Sequence, residues 1–176
     1  MRFTPLKDHQ LDVFAAEWKS KTLCRLFFNG DVTHRMYRRE FNGENFRNIY
    51  RTICEMERRV DNVLFRAMLS PSVFEARKLI SIGQVYVNGA KIIGHPSLKL
   101  KDMDMVQLGP KALKEAIEIH SKNPFMRFWA YQPPYIETNL ATGTLTFLRS
   151  PKISEIPHPF TRQMIDYFGG YYRSHT

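Results

Sequence analysis

Glu57-Arg58-Arg59-Val60-Asp61-Asn62-Val63-Leu64-Phe65-Arg66-Ala67-Met68 opens the stretch that decides the fold, which runs on to Gly109. Val60, Val63, Leu64, Ala67 and Met68 recur at i, i+3, i+4, i+7 and i+8, the period of a helix with one buried face. Arg59, Asn62 and Arg66 fall at i, i+3 and i+7, along the edge of that stripe. Ser72-Val73-Phe74-Glu75 has the form of a capping box, a serine cap with a glutamate three residues on, and predicts a second short helix. That helix would carry Ala76, Leu79 and Ile80 to the core and leave Arg77 and Lys78 more exposed. Gly83 is placed to end it, because glycine accepts the left-handed conformation at a helix C-terminus. In Gln84-Val85-Tyr86-Val87-Asn88-Gly89-Ala90-Lys91-Ile92-Ile93, Asn-Gly between two β-branched runs predicts a hairpin closed by a type I′ turn.

Two short helices, a basic edge and a tight hairpin, in that order, resemble the RNA-binding domain named after small-subunit ribosomal protein four. The residues that carry the resemblance are Glu57 to Arg66, then Glu75-Ala76-Arg77-Lys78-Leu79-Ile80, then Gly83 to Gly89. Where this chain has Val73 the family often has a basic residue. In the family the module is inserted into a mainly helical domain whose halves come from before and after it. The resemblance therefore implies an α+β chain in three parts: residues 1–56 as a helical N-terminal part, 57–120 as the RNA-binding module, and 121–176 as a C-terminal part packing on 1–56, with its own hairpin and helix.

Composition agrees with a polyanionic partner. The 176 residues carry a net charge of +9, with a pI near 9.7. The excess is spread, with 10 Lys/Arg against 7 Asp/Glu in residues 1–56, 8 against 5 in 57–110, 4 against 2 in 111–130 and 4 against 3 in 131–176. Such a distribution suits a protein surrounded by RNA better than one with a single basic tail. No apolar run reaches the roughly 20 residues that span a bilayer, so no membrane is expected. Cys24 and Cys54 are far apart and without a CxxC partner, which reads as two reduced, buried thiols. The six histidines have no ligand spacing, so no metal and no cofactor are expected.

Along the chain, Leu11 to Phe28 reads as a helix with Leu11, Phe14, Ala15, Trp18 and Thr22 on one side. Arg35, Arg38 and Arg39 lie at i, i+3 and i+4, either a solvated face or a phosphate contact beside Tyr37. Gly43 to Phe46 starts another helix, and Phe46, Ile49, Tyr50, Ile53 and Met56 keep its spacing up to the Val60 stripe, as one long helix would. After the first hairpin, Leu98 to Leu108 reads as further strand, with Asp102 and Asp104 in turns. Lys111 to Lys122 reads as a helix with Leu113, Ala116, Ile117 and His120 aligned. The aromatic run Phe125 to Tyr131 suits either base stacking or packing. Tyr135 to Asn139 and Thr144 to Arg149 make a second hairpin about Gly143, matching the family's C-terminal hairpin. Thr161 to Phe168 reads as a last helix with an aromatic tail.

No phosphate loop, GxSxG elbow or HExxH motif is present, and no enzyme is expected. Arg58-Arg59-Val60-Asp61 is similar to the run before the catalytic aspartate of pseudouridine synthases. Those enzymes keep that aspartate in a separate catalytic domain, and Asp61 falls inside the module's first helix. What the ribosomal resemblance implies is RNA contact at Arg58, Arg59, Arg66, Ser72, Arg77, Lys78, Gln84, Asn88 and Lys91, and, from the N-terminal part, at Arg35, Arg38 and Arg39. The implied partners are small-subunit rRNA, at a junction in its 5′ domain, ribosomal proteins three and five, and mRNA where it enters the subunit. The stretch from Trp18 to Asp31 resembles mitochondrial members, which implies a mitochondrial ribosome. A ribosome-assembly paralogue in a small nucleolar ribonucleoprotein is the first alternative, and an RNA-modifying enzyme of the pseudouridine-synthase kind is the second.

Overall fold

A computed structural model of the chain describes residues 8–28, 49–122 and 132–174. Arg35, Arg38, Arg39, the Gly43–Phe46 helix start and the Phe125–Tyr131 run lie outside the described residues. The described elements are α1 (Asp8–Phe27), α2 (Ile49–Glu57), α3 (Val60–Arg66), α4 (Val73–Ser81), β1 (Val85–Val87), β2 (Ala90–Ile92), β3 (Asp104–Leu108), α5 (Pro110–Lys122), β4 (Ile136–Asn139), β5 (Thr144–Phe147) and α6 (Arg162–Ser174). The class is α+β, as the sequence predicts.

The single long helix predicted through residues 49–66 is instead two. Arg59 takes an extended conformation, φ −67° and ψ 136°, between α2 and α3, and forms an isolated bridge with Lys99. Val60 N–H donates to the Leu98 carbonyl at 2.9 Å, and Leu100 N–H to the Arg58 carbonyl at 2.9 Å. These bonds from a distant loop satisfy the groups that a helix break orphans.

Beyond α3 the chain turns through Met68, at φ 59°. Leu69 N–H reaches back to the Leu64 carbonyl at 3.1 Å. Met68 is therefore half-buried and Leu69, 1% exposed, takes the core position that the periodicity gives to Met68. At α4 the cap is half a box. Ser72 Oγ accepts from Glu75 N–H at 3.1 Å, but the Glu75 carboxylate accepts from Lys78 Nζ instead of returning to the cap. Gly83, at φ 70°, ends the helix, with Gln84 N–H on the Leu79 carbonyl. Asn88 and Gly89, at φ 50° and 79°, are the two left-handed residues that a type I′ turn requires.

The five strands form one antiparallel sheet in the order β2-β1-β3-β5-β4. Val87 pairs with Val106 and Val106 with Leu145, and Ile136 pairs with Phe147. The inner face of the sheet, with Val85, Leu108, Leu145 and Phe147, closes on Val63, Leu64, Ile80 and Ala112 from the helices. Each of the larger side chains among them, fully buried, contributes about 1.5–3 kcal/mol.

The chain divides into two compact units, Ile53–Ile156 and Met1–Thr52 with Pro157–Thr176. The second hairpin belongs to the first of these, because β5 bonds directly to β3. The sequence reading assigns that hairpin to a separate part starting at residue 121; its strand pairing with β3 is the reason the division falls elsewhere. In the other unit, α1 pairs with α6. Lys21 Nζ donates to the Tyr171 hydroxyl at 2.7 Å and lies 4.1 Å from the centre of that ring. Cys24, Phe28, Ile165 and Phe168 are buried. The side of α1 that its apolar spacing nominates is not the buried one. Phe14 and Trp18 are 43% and 50% exposed, and Ser20 and Lys21 are buried instead. The last helix also runs further than expected, through Gly169-Gly170 into Ser174, and buries Tyr171. Cys54, read as buried, is half-buried.

Candidate nucleic-acid interface

The basic residues of α3 face carboxylates. Asp61 and Glu57 are both 0% exposed, and a buried carboxylate must be paired. Arg59, itself 5% exposed, donates Nε to Asp61 Oδ1 at 3.0 Å and Nη2 to Oδ2 at 2.8 Å. Its Nη1 is buried without a hydrogen-bond partner. Arg66 grips Glu57 with the same fork, Nε to Oε2 at 3.1 Å and Nη2 to Oε1 at 2.9 Å. Burial alone would lower the Arg66 pKa; the hydrogen bonds and charge of Glu57 outweigh it and hold it above its ordinary value. Asn62 is buried too, its Nδ2 on the Met56 carbonyl. Arg58 is tied to the Leu100 carbonyl at 2.8 Å and to Ser150 Oγ at 2.9 Å, with Glu55 and Asp102 beside it.

The basic residues of α4 and the hairpin are placed differently. Arg77 donates Nε to Asp61 Oδ2 at 2.8 Å, so one carboxylate anchors two arginines, and burial lowers the Arg77 pKa. Its guanidinium carbon lies 5.8 Å from the centre of the Phe74 ring. Lys78 keeps 66% of its side chain in solvent, and Lys91 is exposed. The stem of Lys91 crosses the helix end at Gly83, where a Cβ would come within 2.3 Å of Lys91 Cε.

The remaining candidates hold the local structure. Ser72 is the cap of α4. Gln84 Oε1 is buried without a partner against Gly109. Asn88 ties the hairpin to β3: Nδ2 donates to Asp104 Oδ1 at 2.8 Å and Oδ1 accepts from Met105 N–H at 2.9 Å. The structure thus leaves Lys78 and Lys91 exposed, buries Arg59, and holds Arg66 and Arg77 on buried carboxylates with 16% of each side chain in solvent. Phe74, 59% exposed, escaped the sequence reading. The signal was there: the buried stripe of α4 is Val73, Ala76, Leu79 and Ile80, and Phe74 lies off it.

A family model for the S4 domain matches residues 58–106. Small ribosomal subunit protein uS4 of Erythrobacter litoralis (strain HTCC2594) is 32% identical over 156 residues, covering 85% of this chain and 72% of that protein. The uS4 protein of Pelagibacter ubique (strain HTCC1062) is 34% identical over 151 residues, covering 75% of this chain and 70% of that protein. This chain belongs to the uS4 family. The uS4 relatives are ribosomal proteins, not enzymes, and Asp61 sits under two guanidinium groups rather than in a reactive cleft. The S4 match runs from Arg58 into β3, so it takes in α3, α4 and the first hairpin, while the β4–β5 hairpin that completes the sheet lies beyond it. Among the described residues no group of three or more His, Cys, Asp or Glu could hold a metal ion, and no helix is long and apolar enough to cross a membrane.

Proposed function

We propose that this uS4-family chain is a structural component of the small subunit of a mitochondrial ribosome. It binds small-subunit rRNA at a helical junction of the 5′ domain early in assembly. The observation that carries the RNA reading is the outward side of α4 and the first hairpin. Lys78 and Lys91 are exposed there, on a scaffold whose arginines Arg59, Arg66 and Arg77 are locked to buried carboxylates. Structured RNA is held by its phosphates and 2′-hydroxyls on a matching basic shape. A net charge of +9 adds the long-range attraction. Arg58, Arg59, Arg66, Ser72, Gln84 and Asn88 serve that contact by fixing its geometry. The resemblance of Trp18 to Asp31 to mitochondrial members supports the organelle. By the same family likeness, proteins three and five are the neighbours, and Arg35, Arg38 and Arg39 meet mRNA as it enters.

Binding of the purified protein to a transcript of the rRNA 5′ domain, against a scrambled RNA of equal length across a salt series, tests the RNA reading. A preference of about a hundredfold that survives moderate salt supports it, because charge alone binds both RNAs and weakens steeply with salt. Equal affinity defeats it. Sedimentation of the tagged protein from fractionated cells tests the rest. Co-migration with mitochondrial small subunits in translating ribosomes is expected, and confinement to nucleolar precursor particles would establish the assembly-factor alternative.

A further inference from the structure

Phe74 is costly where it stands. A large aromatic ring kept 59% in solvent contributes little to the core, and the buried stripe of its helix is complete without it. Its neighbours on that side of α4 are Arg77 and Lys78, at i+3 and i+4. Arg77 is held at its other side by Asp61, which fixes the guanidinium near the ring. The nearest carboxylate on the helix, Glu75, is already engaged by Lys78. Ring and Lys78 therefore face outward, with the Arg77 guanidinium held behind the ring.

We propose that Phe74 is a stacking platform for one unpaired base of the bound RNA, with Lys78 on the phosphate beside it and Arg77 backing the ring. This rests on the rRNA reading above and names a residue and a chemistry within it. A base inside a helix has both faces covered by its neighbours. Only a nucleotide turned out of the stack, from a bulge or a junction strand, offers a face to an aromatic ring. The surrounding charge favours RNA over a protein partner, since an acidic nucleic-acid backbone complements Lys78, which keeps 66% of its side chain in solvent.

Full-length protein with Phe74→Ala, Phe74→Leu, Phe74→Tyr or Lys78→Ala is titrated with the 5′-domain transcript, and the wild-type complex is irradiated with ultraviolet light to map crosslinks by mass spectrometry. Phe74→Ala and Phe74→Leu are expected to weaken binding by roughly 5- to 150-fold, with the slope of log affinity against log salt unchanged, because stacking releases no counterions. Phe74→Tyr keeps its π face and stays within about threefold of wild type. Lys78→Ala instead lowers the slope by about 0.9. A crosslink from Phe74 to a nucleotide outside any base pair completes the expected result. Since Phe74 is exposed, the thermal melts of all four variants should overlay the wild type. Leucine binding as well as phenylalanine overturns the proposal, as does a crosslink to a paired base. Full affinity in Phe74→Ala also overturns it. A wild-type chain that fails to distinguish native from scrambled RNA removes the underlying reading, and this proposal with it.

Discussion

Helices α3 and α4 each carry two basic residues in or beside them, Arg59 and Arg66 against Arg77 and Lys78, yet only Lys78 of the four stands mostly in solvent. On the α3 side, Arg59 and Arg66 close on Asp61 and Glu57, which have no exposed surface of their own. On α4, Lys78 stands in solvent and Arg77 is shared between Asp61 and the outer face. The acids make the difference. A buried carboxylate costs several kcal/mol in lost hydration and draws in whatever cation can reach it. Arginine reaches with two donors at once, which lysine cannot. A basic residue here is thus scaffold where it reaches a buried acid, and contact where, like Lys78, it does not.

That contrast can be broken most sharply at Asp61. Asp61→Asn leaves the buried Arg59 and the partly exposed Arg77 without their counter-charge and should lower unfolding stability in urea by about 3–5 kcal/mol. A loss below about 1 kcal/mol would mean that the α3 arginines are not scaffold. Glu57→Gln should cost somewhat less, about 3 kcal/mol, since Arg66 keeps part of its surface in water. Pairing Glu57→Leu with Arg66→Met should recover most of that loss, because the cost lies in stranding one charge.

Ser72→Ala removes the cap beneath the outward face and should cost about 1 kcal/mol, with Ser72→Asp restoring it. A surface pair sharpens the contrast from the other side. Arg149 grips Glu155 with a two-point fork at 2.8 and 2.9 Å, but keeps 43% of its own side chain in solvent. The Arg149 hydrogen bonds, followed by the Lys152 backbone N–H, hold the Glu155 carboxyl down at about 2. Its folded value lies below its unfolded one, so the pair stabilises the fold above the usual glutamate range and loses that contribution as pH falls towards 2. Melts of Glu155→Gln and wild type should differ by a constant small amount near neutrality and converge in acid. The smallest stability effect belongs to Lys78→Ala with Lys91→Ala, within about 0.5 kcal/mol. The same double change should flatten the salt dependence of RNA binding by roughly 1.8 in slope.

What could be read from sequence was local. Asn88-Gly89, Gly83 and Ser72 act within a few residues of themselves, and each sits where its chemistry predicts. The Val60–Ala67 stripe is likewise a matter of period. What could not be read depends on distant chain. The break at Arg59 is made by carbonyls and amides of residues 98–100. The buried side of α1 is chosen by Tyr171, which receives Lys21 across 150 residues, against the apolar spacing of Phe14 and Trp18. The inward turn of Arg59 and Arg66 required knowing that Asp61 and Glu57 are buried. The exposure of Phe74 was legible too, since the period of α4 leaves it off the buried stripe.

The place of β3 in the middle of the sheet sets a clock. One edge of β3 is closed by β1, which precedes it in the chain; the other waits for β5. Thr144–Phe147 follows β3 by roughly 40 residues, which at about 5–20 residues per second is on the order of 2–8 s of synthesis. For that interval the central strand of the finished sheet is an open edge in the nascent chain. The amides and carbonyls along Asp104–Gln107 then lack their later partners and can recruit any extended neighbour.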